Sequence, residues 1–298
     1  MPKAKANNIE IEYDTFGDPS SKALLLVSGL SSQMINWEEE FCAKFVDKGF
    51  YVIRFDNRDV GLSTKFEEAG VFDANDIMKA INLQMRGKEV PAPYKLEDMA
   101  DDAIGLLDAL NIDKVHICGA SMGGMIVQEI AIKYPSRILS LTSIMSTTGR
   151  GDLPQPKPEA MKILLTPFPE ERDAFIEHFV KIARVIHGSG FPFDEEGVRE
   201  RGAKSYDRSF YPQGAARQLV GIIASGNRNA KLASVSVPTL VIHGGDDPLV
   251  PLEGGKDTAE SIPGAELLII EGMGHELPLE AWPQIVDAIS ANAGKAKP

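Results

Sequence analysis

The chain has 298 residues, 43% of them apolar and 25% charged, a composition typical of a globular enzyme with one large core. Its formal net charge of -12 disfavours nucleic acid and anionic membranes as partners, because both reward clustered Lys and Arg. We expect a cytoplasmic protein without a metal site, because neither a signal-like segment nor a membrane-length apolar run occurs and the two cysteines lack metal-ligand spacing.

Short β-rich runs alternate with runs of helical period along the chain. Period-2 alternation predicts an edge strand or hairpin arm, and continuous apolar runs that end in turns predict buried strands. The predicted strands are NIEIEYDTFG, ALLLVSG, FYVIRFD, KVHICGA, RILSLTSIMS, VPTLVIHGG and AELLIIEG. Helices are predicted in NWEEEFCAKFVDKG, LEDMADDAIGLLDALNI and MGGMIVQEIAIKYP, and from about Trp282 to Ala291. This alternation indicates a mainly parallel sheet with helices on both faces.

Two longer stretches interrupt the alternation. Residues 64–94 form a connection with one helical piece near DIMKAINLQMRG. Residues 148–232 contain helical patterns in KPEAMKILL, EERDAFIEHFVKIARVIHG, DEEGVRERGAKSYDRSF and GAARQLVGIIASG. An insertion of this length with its own apolar helices predicts a lid rather than a loop. The expected organisation is a core of residues 1–147 and 233–298 that carries a helical lid at 148–232.

Three chemically useful kinds of side chain follow three of the predicted strands. Ser121 follows KVHICGA, the pair Asp246 and Asp247 follows VPTLVIHGG, and His275 follows AELLIIEG. Ligands bind at the carboxyl ends of strands in an open parallel sheet, so these groups are expected at one sheet edge. The chain order Ser, Asp, His is that of a nucleophile-elbow hydrolase.

The pentapeptide GASMG at residues 119–123 matches the Gly-x-Ser-x-Gly elbow but is short enough to occur by chance. A serine nucleophile needs a base, which histidine supplies near neutral pH, and a carboxylate that holds the histidine tautomer. The flanking glycines suit a sharp strand-to-helix turn that leaves no room for side chains. The later acid and histidine therefore favour Ser121 as a nucleophile over a plain turn serine.

The other histidines have simpler interpretations. His116 lies inside a predicted strand and His243 ends one, so packing roles are expected for both. His178 and His187 lie on predicted lid helices, and His187 is the one expected to face a substrate.

Five motifs together support a family resemblance: LLLVSGLSS, VIRFDNRDVGLS, GASMGG, GGDDPLVP and GMGHELP, in this order. The chain resembles the α/β-hydrolase superfamily over most of its length, which implies an α/β-hydrolase fold with a mostly parallel eight-stranded sheet. Within the superfamily it is most similar to the aclacinomycin methylesterase type. That closer resemblance depends on LLLVSG without the usual histidine, FDNRDVGLST, and GSGFPFDEEGVRERGAKSYDRS.

The resemblance implies a role for each candidate residue. Ser121 is the nucleophile, His275 the base and Asp247 the acid that orients it. Asp246 competes for the last role, but family members carry Gly-x-x-Asp before an apolar–Pro pair, which here selects Asp247. The turn FDNRDVGLS is implied to be structural, with Arg58 paired to a carboxylate.

The oxyanion hole is implied to use the backbone N–H groups of Leu30 and Met122. Many relatives have His-Gly where this chain has Ser28-Gly29. The histidine there shapes the loop and is not the catalytic base, so an intact hole of slightly different shape is expected.

The prediction is a cofactor-independent serine carboxylic-ester hydrolase that forms an acyl-enzyme on small to medium hydrophobic esters. Methyl esters of aromatic polyketides are suggested by the resemblance alone. A serine nucleophile excludes the epoxide hydrolase and haloalkane dehalogenase chemistries of this fold, which use aspartate.

Alternatives with the same triad are C–C bond hydrolase, lactonase, aminopeptidase and cofactor-free perhydrolase. A ligand-binding receptor on a hydrolase scaffold is the alternative from another class. The expected partner is a small-molecule ester, with neither nucleic acid nor membrane. The physiological ester, the oligomeric state and the mobility of the lid are left open by the sequence.

Overall fold

An eight-stranded sheet runs through the centre of the protein in a computed structural model that describes residues 1–297. The strands are β1 (Lys3–Ala6), β2 (Ile9–Phe16), β3 (Lys22–Val27), β4 (Phe50–Phe55), β5 (Val115–Ala120), β6 (Ile138–Ile144), β7 (Thr239–Gly244) and β8 (Glu266–Ile270). Their order across the sheet is β1-β2-β4-β3-β5-β6-β7-β8. β2 pairs antiparallel with β1 and β4, and the other pairs are parallel. The predicted mostly parallel sheet is confirmed.

Helices cover both faces of this sheet. The α-helices of the described chain are α1 (Glu39–Asp47), α2 (Ala74–Met85), α3 (Leu96–Ala109), α4 (Met122–Lys133), α5 (Pro158–Leu164), α6 (Arg172–Ile186), α7 (Glu195–Arg208), α8 (Gln213–Ser225), α9 (Asn229–Leu232), α10 (Leu252–Ser261) and α11 (Trp282–Gly294). Within residues 1–297, no helix reaches the length and apolarity that crossing a membrane requires.

The central strands are apolar throughout because successive side chains point to opposite, equally covered faces. In β3, Leu25 and Val27 pack with α3 and α4, whereas Leu24 and Leu26 pack with α1 and α11. All four side chains are fully buried. The two cores hold the sheet rigidly, so the loops at its carboxyl edge start from fixed positions.

Helices α5 to α9 lie between β6 and β7, in the segment predicted as a lid. We refer to residues 148–232 as the helical insertion. It has an aromatic cluster of its own, in which the ring centroids of Phe175 and Phe210 lie 5.7 Å apart and those of Tyr206 and Phe210 lie 4.9 Å apart. Its two ends meet at the core, where the backbone N–H of Arg228 donates to the carbonyl oxygen of Thr148 over 2.9 Å.

Three elements were not located from the sequence: β1, α9 and α10. Strand β1 consists of lysines and alanines with Ala6 as its one buried residue, so it has no apolar pattern to recognise. Helix α10 contains Gly254 and Gly255, which lower helix propensity. A methyl group on Gly255 would lie 2.4 Å from the His243 ring, so close packing against β7 accounts for that glycine.

Candidate active site

Ser121 occupies the sharp turn between β5 and α4, with φ 56° and ψ -119°, a conformation that is strained for any residue with a side chain. A methyl group on Gly119 would lie 2.1 Å from the carbonyl oxygen of Gly123, and one on Gly123 would lie 2.1 Å from that of Val27. Both glycines are therefore required by close backbone contacts. The turn is anchored where Ser121 N–H donates to the carbonyl oxygen of Ile144 over 2.9 Å.

A continuous hydrogen-bonded chain joins an aspartate, a histidine and this serine. Asp247 Oδ2 lies 2.7 Å from His275 Nδ1, and His275 Nε2 lies 2.9 Å from Ser121 Oγ. Because the carboxylate accepts the Nδ1 proton, Nε2 keeps a lone pair for the serine hydroxyl. The other carboxylate oxygen accepts the N–H groups of Leu249 and Val250 over 2.9 and 2.8 Å, which locks its orientation.

The neighbouring Asp246 points elsewhere. Its carboxylate accepts the backbone N–H of Ser189, over 3.1 Å, and the hydroxyl of the same residue in the helical insertion. These hydrogen bonds hold the pKa of Asp246 below its ordinary value. The structure thus brings Asp247 to His275 and directs Asp246 towards the insertion.

The loop after β3 packs directly against the serine. A methyl group on Gly29 would lie 3.3 Å from Ser121 Cβ, so no larger residue fits there without displacement. In the described chain, neither Leu30 N–H nor Met122 N–H donates to a protein acceptor. An oxyanion hole needs two such N–H groups close to the serine, and its formation by Leu30 and Met122 stays a prediction.

The loop FDNRD, which follows β4, is hydrogen-bonded to the loop after β3 and to α3. Asn57 Nδ2 donates to the carbonyl oxygen of Ser28 over 3.0 Å. Arg58 makes a two-pronged pair with Asp102, over 2.6 and 2.7 Å. The predicted carboxylate partner for Arg58 is confirmed.

A cavity of about 380 Å³ opens beside His275, between the sheet edge and the helical insertion. Ser28, Gly29 and Ala120 form its floor together with the histidine. Its walls are largely aromatic and aliphatic and come from both regions, with Trp37, Phe41, Met145 and Trp282 from the core and Phe179, Ile186 and Phe193 from the insertion. This volume lies within the range of small-molecule sites.

The family model for the alpha/beta hydrolase fold matches residues 22–281. The chain belongs to the α/β-hydrolase family. It is 28% identical to rhodomycin D methylesterase DauP of Streptomyces sp. (strain C5), over 97% of each chain. It is 26% identical to 3-oxoadipate enol-lactonase 2 of Acinetobacter baylyi, over 89% of this chain and 86% of that one.

Among solved structures, a meta-cleavage product hydrolase from Pseudomonas fluorescens IP01 superposes with a TM-score of 0.75 at 19% identity, over 100% of this chain and 98% of that chain. The predicted α/β-hydrolase fold is confirmed, and so is the resemblance to the methylesterase type. These relatives support a hydrolase.

In this α/β-hydrolase the helical insertion meets the histidine loop through close backbone contacts. The backbone N–H of His275 donates to the carbonyl oxygen of Ile186 over 2.8 Å, and that of Gly190 donates to Gly272 over 2.9 Å. A methyl group on Gly188 would lie 2.1 Å from the carbonyl oxygen of Gly272. We refer to these contacts between residues 186–190 and 272–275 as the glycine seam.

Glu276 reinforces the glycine seam from the cavity side. Its Oε1 accepts the N–H groups of Gly188 and Gly274, each over 3.2 Å, and lies 3.3 Å from His187 Nδ1. Burial raises the pKa of Glu276 above its ordinary value, although these partners favour its ionised form. His187 lines the cavity, and its predicted contact with a substrate stays a prediction.

The two strand histidines have supporting roles. His243 Nε2 donates to the carbonyl oxygen of Val250 over 2.8 Å, and burial lowers the pKa of His243. His116 is buried, with Nδ1 lying 2.8 Å from Ser140 Oγ, and burial lowers its pKa to about 4. Both histidines are therefore neutral at pH 7 and pack as expected.

Within residues 1–297, no three His, Cys, Asp or Glu side chains are grouped closely enough to hold a metal ion. A cofactor-independent reaction stays a prediction.

Sequence reasoning missed three features of the site: the supporting amide of Asn57, the glycine seam and Glu276. Asn57 and Glu276 each adjoin a residue that the motifs singled out, Arg58 and His275. The glycines at 188, 190, 272 and 274 resemble ordinary turn residues in the sequence, and only their mutual contact reveals the seam.

Proposed function

We propose that the protein is a carboxylic-ester hydrolase with Ser121 as nucleophile, His275 as base and Asp247 as the orienting acid. The observation that carries this proposal is the hydrogen-bonded chain of 2.7 and 2.9 Å that ends on a serine in elbow geometry. A serine in this arrangement can be activated at neutral pH, because the neighbouring imidazole accepts its proton in the transition state.

The first half of the reaction forms an acyl-enzyme. Ser121 Oγ attacks the ester carbonyl carbon while His275 Nε2 takes the hydroxyl proton. The carbonyl oxygen becomes an oxyanion, which the N–H groups of Leu30 and Met122 stabilise. The carbon–oxygen bond to the alcohol then breaks, and the alcohol leaves with the proton held by His275.

The second half regenerates the serine. A water molecule gives its proton to His275 and attacks the acyl carbon. The second tetrahedral intermediate uses the same two N–H groups and collapses to the free acid, and Ser121 recovers its proton. Asp247 stabilises the imidazolium in both halves without being protonated itself.

We propose that the helical insertion, residues 148–232, is a lid that selects the substrate. The cavity beneath it is walled mostly by apolar side chains, which suits a small to medium hydrophobic ester. The name of one relative, a rhodomycin D methylesterase, supports a methyl ester as the group cleaved.

Lactone hydrolysis is the second candidate. A relative 26% identical over most of the chain is named an enol-lactonase. A lactone is a cyclic ester, and the same serine, histidine and N–H groups would open it by the same steps.

The test is turnover of a panel of p-nitrophenyl esters with increasing acyl length, together with methyl esters and lactones, by wild type and Ser121→Ala. We expect ester turnover by wild type and a loss of roughly 10⁴-fold or more in the variant. A fluorophosphonate should label wild type at Ser121, as located by mass spectrometry.

Equal rates in the two proteins would refute the mechanism. Turnover of lactones but not of open-chain esters would favour the second candidate.

A further inference from the structure

A fully buried amide side chain of the helical insertion bonds to the loop after β3. Gln218, on α8, has no exposed surface. Its Oε1 accepts the backbone N–H of Ser31 over 2.8 Å, and its Nε2 donates to the carbonyl oxygen of Arg58 over 2.8 Å. Both ends of the amide are therefore bonded to backbone of the core.

The bonded N–H belongs to the residue directly after Leu30. Ser31 has a positive φ of 55°, which is unfavourable for a residue with a side chain and needs support from its surroundings. Without Gln218, the N–H of Ser31 would lose its acceptor, and a partly buried N–H without a partner is unfavourable. The loop would relax to find another partner.

Two buried amide side chains thus bond to the backbone on either side of the dipeptide Gly29–Leu30. Asn57 holds the carbonyl oxygen of Ser28 on one side, and Gln218 holds the N–H of Ser31 on the other. Between them lie Gly29, which contacts Ser121, and Leu30, whose N–H has no acceptor among the described residues. The two amides therefore hold the backbone on either side of that N–H.

Helix α8 is itself anchored on the core, so the backbone that carries Gln218 has a fixed position. The neighbouring Arg217 forms a two-pronged pair with Asp59, over 2.9 and 3.0 Å. A methyl group on Gly214 would lie 1.9 Å from the carbonyl oxygen of Asp59, so the helix backbone contacts the loop directly.

We propose that Gln218 is a positioning residue for the oxyanion hole, through which the helical insertion contributes to the chemical step as well as enclosing the substrate. This inference rests on the proposed ester-hydrolase function. Gln218 touches no reacting atom and acts through the Leu30–Ser31 backbone. Displacing a preorganised N–H weakens binding of the oxyanion more than binding of the neutral ester.

The test compares Gln218→Met with wild type on a p-nitrophenyl ester and on a trifluoromethyl ketone, which forms a hemiketal oxyanion on a serine. We expect kcat to fall about tenfold to a hundredfold, KM to stay within about twofold, and affinity for the ketone to fall by the same factor as kcat. Affinity for the product acid should not change.

The matched control is Gln128→Met, which removes another fully buried glutamine, one that accepts from Arg228 over 3.1 Å. It should lower the melting temperature and leave kcat within about twofold. A second variant, Gln218→Glu, keeps an acceptor for Ser31 and should give values of kcat and ketone affinity between those of Gln218→Met and wild type. If Gln218→Met does not fold, the kcat and the ketone affinity of Gln218→Glu, compared with those of wild type, decide instead.

The inference is overturned if the folded variants keep wild-type kcat, if KM alone changes, or if kcat falls without a matching loss of ketone affinity. A wild type that neither hydrolyses esters nor shows a hemiketal by ¹⁹F NMR would overturn the proposed function and this inference together. Normal wild-type chemistry with unaltered Gln218 variants would overturn the inference alone.

Discussion

The sheet edge and the helical insertion meet at one cavity but contribute to it by different means. The sheet edge places Ser121, Asp247 and His275 in the turns and loops that follow β5, β7 and β8. The insertion adds no member to their hydrogen-bonded chain within residues 1–297. It contacts the loops around them instead, through Gln218 and the glycine seam. Changes at the edge should therefore remove chemistry, whereas changes in the insertion should alter geometry, stability and substrate choice.

The largest effect is expected at the sheet edge, where two adjacent aspartates differ completely in their contacts. Asp247→Asn should lower kcat about 10⁴-fold, because the histidine loses the partner that holds its tautomer. The matched Asp246→Asn removes only a carboxylate that bonds to Ser189 in the insertion, and its kcat should stay within about tenfold of wild type. Steady-state kinetics on one ester measure both variants; a larger loss in Asp246→Asn would reverse the assignment of the acid.

The glycine seam should be the most sensitive point of the insertion. Gly188→Ala should destabilise the protein by about 1–3 kcal/mol, because its methyl group would lie 2.1 Å from the carbonyl oxygen of Gly272. The activity should also fall, since the seam bonds to the backbone of His275.

The control is Gly151→Ala, at a position where a methyl group meets nothing within 4 Å. Urea unfolding measures both variants. Equal free energies of unfolding for Gly188→Ala and Gly151→Ala would show that the insertion can shift away from the histidine loop at no cost.

Protonation of His116, a buried residue of β5, should lower the stability of the protein in acid. The folded pKa of His116 is about 4, below its ordinary value of 6.5, so below pH 6.5 the unfolded chain binds more protons than the folded one. Its contribution to stability is present above pH 6.5 and is lost as the pH falls towards 4. Between pH 7 and 5 the loss from this group amounts to about 2 kcal/mol.

The His116→Gln variant tests this dependence, since glutamine does not titrate. Its free energy of unfolding should fall by about 2 kcal/mol less than that of wild type between pH 7 and 5. Activity at pH 7 should be retained, because His116 contacts Ser140 rather than the candidate triad. Identical pH slopes for the two proteins would mean that the folded protein accommodates a charged imidazole here.

The smallest effect is expected in the cavity wall that the insertion supplies. Phe179→Ala enlarges the cavity and should raise the kcat/KM ratio of long-chain to short-chain esters about tenfold. Phe175→Ala is the control, because Phe175 packs in the aromatic cluster of the insertion and does not line the cavity. That change should lower stability without altering the ratio; an equal shift in both variants would indicate a general loosening of the insertion.

Much of the sheet and the candidate triad could be predicted from the sequence, because the relevant signals are local. Strands buried on both faces appear as apolar runs such as ALLLVSG, and parallel pairing brings the residues after β5, β7 and β8 to one edge. The elbow glycines were predicted for steric reasons. In the structure, a methyl group added to either glycine would lie 2.1 Å from a backbone carbonyl oxygen. By contrast, β1 and α10 lack a local apolar signal.

The sequence by itself determined the strand pattern, the chemical types at the sheet edge and the family resemblance. The family resemblance already selected Asp247 over Asp246, but only the tertiary structure showed that Asp247 contacts His275 while Asp246 bonds to Ser189. Only the tertiary structure joined Gln218 to Ser31, across 187 positions of the chain. Contacts between residues so far apart along the chain produce no periodic pattern in the sequence, because they depend on where two separately formed elements lie in the fold.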